Sequence, residues 1–232
     1  MAVAPAWEAL DRAGLVYAVE EPAGAAATGV GGAGAAGGGV APAAAGATIV
    51  LRGVATDPER LAALARVAAP ARRLLVPEPL RFLYLGRHHV GQRWWVTGLD
   101  GEHEPATFGD ALHAVEQFAD GACEQWGAAP LLIGHGQGGE LALALALLLG
   151  DRVGGVAAID AALPRVPGWE LPAPALAGLP VLLLPGAQPP RELERTRRAL
   201  LAAGARLTEA PPSADAAPLG PALDPQLAGW LS

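Results

Sequence analysis

The sequence predicts an α/β fold: a three-layer sandwich with a mostly parallel sheet flanked by helices. Three observations carry that expectation. From residue 47 onward, short apolar runs alternate with helix-forming segments, the pattern of strands joined by crossover helices. Most of these runs are apolar throughout rather than at every second position, as strands covered on both faces are. A glycine-rich turn, residues 134–139, joins one such run directly to a helix. The 232 residues suit one domain over 1–232.

The elements follow in order. A short amphipathic stretch opens the chain, and residues 15–19 (Leu-Val-Tyr-Ala-Val) read as a strand. Residues 24–46 are almost wholly Ala and Gly, which cannot bury enough apolar surface to offset ordering entropy. They read as a flexible loop, an elongated hairpin connection between two neighbouring strands. Residues 48–51 are a buried strand ending at Arg52-Gly53. Asp57-Pro58-Glu59 then starts a helix, with Asp as N-cap and Pro at the first helical position. Residues 74–76 form the next strand, and a long loop rich in Arg, His and aromatics runs from 77 to about 105. Residues 107–126 read as a helix, with Leu112, Val115 and Phe118 spaced for one face. Strands follow at 131–133, 153–159 and 181–184, helices at 140–149 and 191–203. Residues 206–208 give a last strand, and a closing helix lies near 223–231.

Composition excludes several function classes. The net charge is −7 and every basic residue is arginine, with no lysine. An acidic chain without a basic stripe points away from nucleic acid and from anionic membrane surfaces. The longest apolar run, 141–149, is far shorter than the roughly 20 residues a bilayer requires. No basic region followed by a compact apolar stretch opens the sequence, so a cytoplasmic location is expected. Cys123 is the only cysteine, which leaves no intrachain disulfide and no cysteine-based metal site.

The informative stretch is Gly134-His135-Gly136-Gln137-Gly138-Gly139. Gly134, Gly136 and Gly139 fit the dinucleotide fingerprint Gly-x-Gly-x-x-Gly, with Asp160 near the spacing of a ribose-binding acid. Gly134 and Gly138 equally fit the strand–Gly-x-Ser-x-Gly–helix nucleophile elbow, with Gly136 at the serine position. A tight turn without any ligand satisfies the same glycines. The surrounding residues favour the elbow. Residues 131–143 resemble the elbow of the phospholipase/carboxylesterase branch of α/β-hydrolases, which shows Gly-Phe-Ser-Gln-Gly-Gly there. Residues 151–156 resemble that family's following helix end and strand. Residues 49–53 and 181–186 resemble its two strands ending in His-Gly. The likeness runs from about 47 to 230 and implies an α/β-hydrolase-like fold.

The same resemblance implies a nucleophile, an acid and a base, and none of them stands in this sequence. The nucleophile position is Gly136, the acid position falls at Gln188 or Pro189, and the base position falls near Ala214. The five histidines are His88, His89, His103, His113 and His135, so none follows the elbow, and the only serines are Ser213 and Ser232. The family order Ser…Asp…His is impossible here. The expected function is therefore that of a pseudo-hydrolase without catalytic residues or cofactor, keeping a site for a small acyl or carboxylate ligand. That site would comprise the amides of Val54 and Gln137, matching the family's oxyanion positions, with Arg52, His135, Trp94 and Trp95 around them. Arg52 would offer a fork for an anion or pair with a surface acid; core packing would account for one of the tryptophans. A dinucleotide-binding protein, or an ester hydrolase using other residues, are the alternatives. His88 and His89, with Glu102, His103 or Glu104, lack a fixed spacing for metal and read as solvated loop residues, and Cys123 as a core residue.

Overall fold

Five-residue apolar runs build the centre of the structure, a computed structural model that describes residues 8–22, 46–85, 87–170, 175–186, 188–210 and 219–231. The strands are β1 (Tyr17–Glu20), β2 (Ala47–Leu51), β3 (Arg73–Pro77), β4 (Arg81–Leu85), β5 (His88–Arg93), β6 (Leu131–His135), β7 (Gly155–Ile159), β8 (Pro180–Leu184) and β9 (Arg206–Glu209). The helices are α1 (Glu8–Asp11), α2 (Pro58–Ala68), α3 (Pro105–Trp126), α4 (Gln137–Leu149), α5 (Pro190–Ala202) and α6 (Asp224–Ala228). Seven strands form one sheet in the order β1-β3-β2-β6-β7-β8-β9, parallel throughout except for β1, which pairs antiparallel with β3.

The period of two along the strands divides the core into two layers. Ile49, Leu51, Val156, Ala158, Val181 and Leu183 face α3, α4 and α5. Val50, Ile133, Ala157, Ile159, Leu182 and Leu184 face α2 and α6. Helix α4 is buried nearly all round because it packs on β6, β7, β2 and α3 together, which explains its uninterrupted Leu/Ala run. Asp57 caps α2 as expected, accepting from the amides of Glu59 and Arg60. Glu104 does the same for α3, accepting from Ala106 and Thr107, so that helix starts two residues earlier than the apolar spacing suggests.

Two expectations need correction. The stretch from 77 to 105 is not all loop: β4 and β5 form an antiparallel hairpin of their own. Phe82, Tyr84 and Val90 on it are exposed, so the sequence lacks the apolar-in, polar-out contrast that marks a strand. Strands β1 and β2 are not neighbours either, because β3 lies between them. The half-exposed β1 suits a sheet edge, and its antiparallel partner is reached only after α2. The Ala/Gly segment, apart from Gly46, lies outside the described residues. Among these no helix is long and apolar enough to cross a membrane.

Candidate functional site

The turn between β6 and α4 is built from backbone approaches that only glycine permits. A Cβ at Gly134 would overlap the carbonyl of Gly138, and one at Gly138 would overlap the carbonyl of Leu51. A Cβ at Gly139 would lie 2.6 Å from that of Ala161. These glycines press α4 against β2, β6 and the end of β7. Gly136 differs: it has φ 55° and ψ −126°, yet a Cβ there would meet nothing nearer than the Gly53 Cα at 3.9 Å. The backbone holds the strained geometry of a nucleophile elbow, and among the described residues the space for a side chain is open.

Gly53, after β2, closes the other side. A Cβ on it would fall 2.7 Å from the His135 carbonyl oxygen and 3.3 Å from the Gln137 amide nitrogen. The Gly53–Val54 turn thus lies against the start of α4, where the expected oxyanion amides of Val54 and Gln137 reside. Thr56 fixes this contact. Its Oγ1 accepts from the Gly53 amide at 2.7 Å and lies 2.7 Å from His135 Nδ1. The hydroxyl keeps both a second lone pair and its proton for Nδ1, so the direction of this hydrogen bond follows the imidazole tautomer. His135 is 8% exposed, and Nε2 has no hydrogen-bond partner among the described residues. Burial pushes the His135 pKa down, opposed by the charge of Asp160.

The other expected ligand residues are tied to one another around the turn by hydrogen bonds. Arg52 donates to Gln92 Oε1 and lies 3.9 Å from Glu78, while Gln92 Nε2 donates to Glu78 at 2.8 Å. Trp94 and Trp95 are fully buried. The Trp94 indole donates to the Arg52 carbonyl at 2.8 Å. Gln137 grips the same segment twice, accepting from the Trp94 amide at 3.1 Å and donating to the Trp95 carbonyl at 3.3 Å. His88 and His89 sit exposed on β5, with the His89 ring against Phe82 and Tyr84. No cluster of three or more His, Cys, Asp or Glu suited to a metal occurs among the described residues.

Pro189, at the acid position, stands at the N-terminus of α5 and carries no charge. Ala214, at the base position, lies outside the described residues. Asp160, read from the sequence only as a ribose-binding acid, follows β7 at φ 48°, packs against Gly186 and accepts from Gln188 through its carbonyl. Beside the elbow lies a cleft of about 830 Å³ between α4, α5 and the loop after β7. Glu140, one turn beyond Gly136, lines it, as do His103, Trp169, Gln188 and Arg195. Glu140 and Gln188 fall within the stretches that the family resemblance covers, but Trp169 and Arg195 stand in no legible motif; Thr56 is equally silent in the sequence, since a lone threonine before an N-cap carries no pattern.

This sheet order, with a glycine elbow at the start of α4, defines an α/β-hydrolase-like three-layer sandwich. Solved structures agree. The structure resembles the carboxylesterase of Bacillus cereus with a TM-score of 0.73 at 15% identity, covering 98% of each chain. It resembles YahD, solved with malic acid, at 0.70 and 14%, covering 94% of this chain and 98% of that one. It also resembles esterase PE8 at 0.62 and 20%, covering 92% and 96%. No family model and no curated protein sequence matches the chain. The fold is that of carboxylesterases and phospholipase/carboxylesterase proteins.

Proposed function

We propose that this protein is a pseudo-hydrolase: a carboxylesterase-like scaffold that performs no ester hydrolysis and binds a small acyl or carboxylate ligand at the elbow amides. One observation carries the reading. Gly136 occupies the nucleophile position in elbow geometry, with space above it that no described residue fills and no side chain to attack. Acyl transfer at this turn requires a nucleophile and a base to take its proton. The adjacent imidazole in the chain, His135, is held by Thr56 on one nitrogen and is buried. No histidine follows it in the chain.

What persists is electrostatic. The Gln137 amide opens α4, and the positive end of the helix favours an anion there. A structural neighbour, YahD, was solved with malic acid, a dicarboxylate, which supports a carboxylate as the ligand class. The test is turnover of p-nitrophenyl acetate and butyrate by purified protein. The expected rate equals that of a serine-free control protein of similar charge; saturable turnover abolished by a single point substitution would overturn the proposal.

A further inference from the structure

The cleft beside the elbow has two walls of opposite charge. On the α5 side, Arg191, Arg195, Ala199 and Ala202 lie at positions i, i+4, i+8 and i+11, one stripe of the helix. Arg165, Arg191 and Arg195 all converge on Glu192. Arg165 binds its two carboxylate oxygens at 3.0 Å each, Arg195 Nε approaches at 3.1 Å and Arg191 Nε at 3.4 Å. Burial acts to raise the Glu192 pKa, but Arg195 and Arg165 outweigh it and hold the carboxyl below the usual range. Three guanidinium groups against one carboxylate leave two positive charges in excess, with Arg191 82% exposed.

The facing wall is acidic. Asp100, Glu102 and Glu140 line it, and among the described residues the only cation-capable group with them is His103. Glu140 Oε2 lies 3.1 Å from His103 Nε2, at a distance but not an angle for a hydrogen bond, and this buried oxygen has no donor among the described residues. Between the walls the surface is apolar, formed by Leu147, Leu163, Val166, Ala199 and Trp169. The Trp169 ring is braced edge-on by Phe108, which is braced in turn by Trp95.

We infer that this cleft binds short apolar peptides as zwitterions, the C-terminal carboxylate on the Arg165–Arg191 wall and the ammonium on Glu140. Each end of such a ligand meets the charge the cleft has in excess, and its side chains cover the apolar floor. A ligand with one charge would leave the opposite wall uncompensated. The volume of about 830 Å³ lies within the range of small-ligand sites and exceeds what a single amino acid fills.

Isothermal titration at low ionic strength with phenylalanyl-leucine, its N-acetyl form and its C-terminal amide tests this. The free dipeptide should bind tightest, with each cap weakening binding by about tenfold. Glu140→Gln should weaken the free dipeptide and leave the N-acetyl form unchanged, whereas Arg191→Ala should leave the amide unchanged. Arg191 is a surface residue, so this variant folds even where the Glu140 variant does not. Equal binding of the three peptides, or no heat from any at millimolar concentration, would overturn the inference. Neither result bears on ester turnover at the elbow, so the two proposals fail separately.

Discussion

Replacing Gly136 by serine places a side chain where hydrolases of this fold carry their nucleophile. The cost is calculable from the turn. At φ 55° and ψ −126° a non-glycine residue is strained by about 1–3 kcal/mol. The restricted unfolded chain returns about 0.4–1 kcal/mol of that. No steric term is added, because the new Cβ would stand 3.9 Å from its nearest neighbour, an ordinary contact. The net loss of about 1–2 kcal/mol should lower Tm by roughly 2–8 °C, for a chain of this size. Gly138→Ala is the contrasting variant, since its Cβ would overlap the Leu51 carbonyl on a rigid strand. It should cost more than about 4 kcal/mol or prevent folding. Urea unfolding followed by circular dichroism measures both. A Gly136→Ser protein as stable as the parent, or as damaged as Gly138→Ala, would refute the elbow geometry. The serine should also give no esterase, because no histidine follows the elbow in the sequence to take its proton; ester turnover by this single variant would contradict the proposed function.

Two further outcomes follow from the ring of contacts beneath the turn. Thr56→Val removes the partner of both the Gly53 amide and His135 Nδ1, and at about 1–3 kcal/mol for each stranded group should destabilise by about 2–6 kcal/mol in urea unfolding. Thr56→Ser should recover most of this, and a neutral valine variant would show that the hydroxyl fixes nothing. His135 titrates lower folded than its ordinary 6.5, so the unfolded chain takes up the proton first. Its contribution is complete above pH 6.5 and is lost as pH falls toward the depressed folded value. His135→Gln should flatten the stability–pH slope between about pH 6.5 and 5, above the carboxylate range; an unchanged slope would show that the ring is not held neutral.

The elbow was legible in the sequence because Gly134, Gly138 and Gly139 answer to contacts that no other residue permits, and those contacts recur wherever a strand turns this sharply into a helix. The parallel strands were legible for a similar reason, as apolar runs such as 131–133 and 181–184 need cover on both faces. The β4–β5 hairpin was not, because it turns Phe82 and Tyr84 outward. Trp94 and Trp95 show a different limit. Aromatic residues that line a pocket and aromatic residues packed in the core read alike in a sequence, and only the structure shows both rings buried with Gln137 gripping their backbone. The charged cleft was invisible for a topological reason. Its walls come from the loop before α3, the first turn of α4, the loop after β7 and one stripe of α5, up to about a hundred residues apart in sequence.

The central claim is that the elbow carries no nucleophile, and intact-protein mass spectrometry after incubation with a fluorophosphonate probe tests it most directly. Such probes trap an activated hydroxyl or thiol in stoichiometric adducts. The protein should retain its unmodified mass at a probe excess that fully labels an active carboxylesterase of this fold. A single adduct at full occupancy, on any residue of the native protein and lost on unfolding beforehand, would contradict the account.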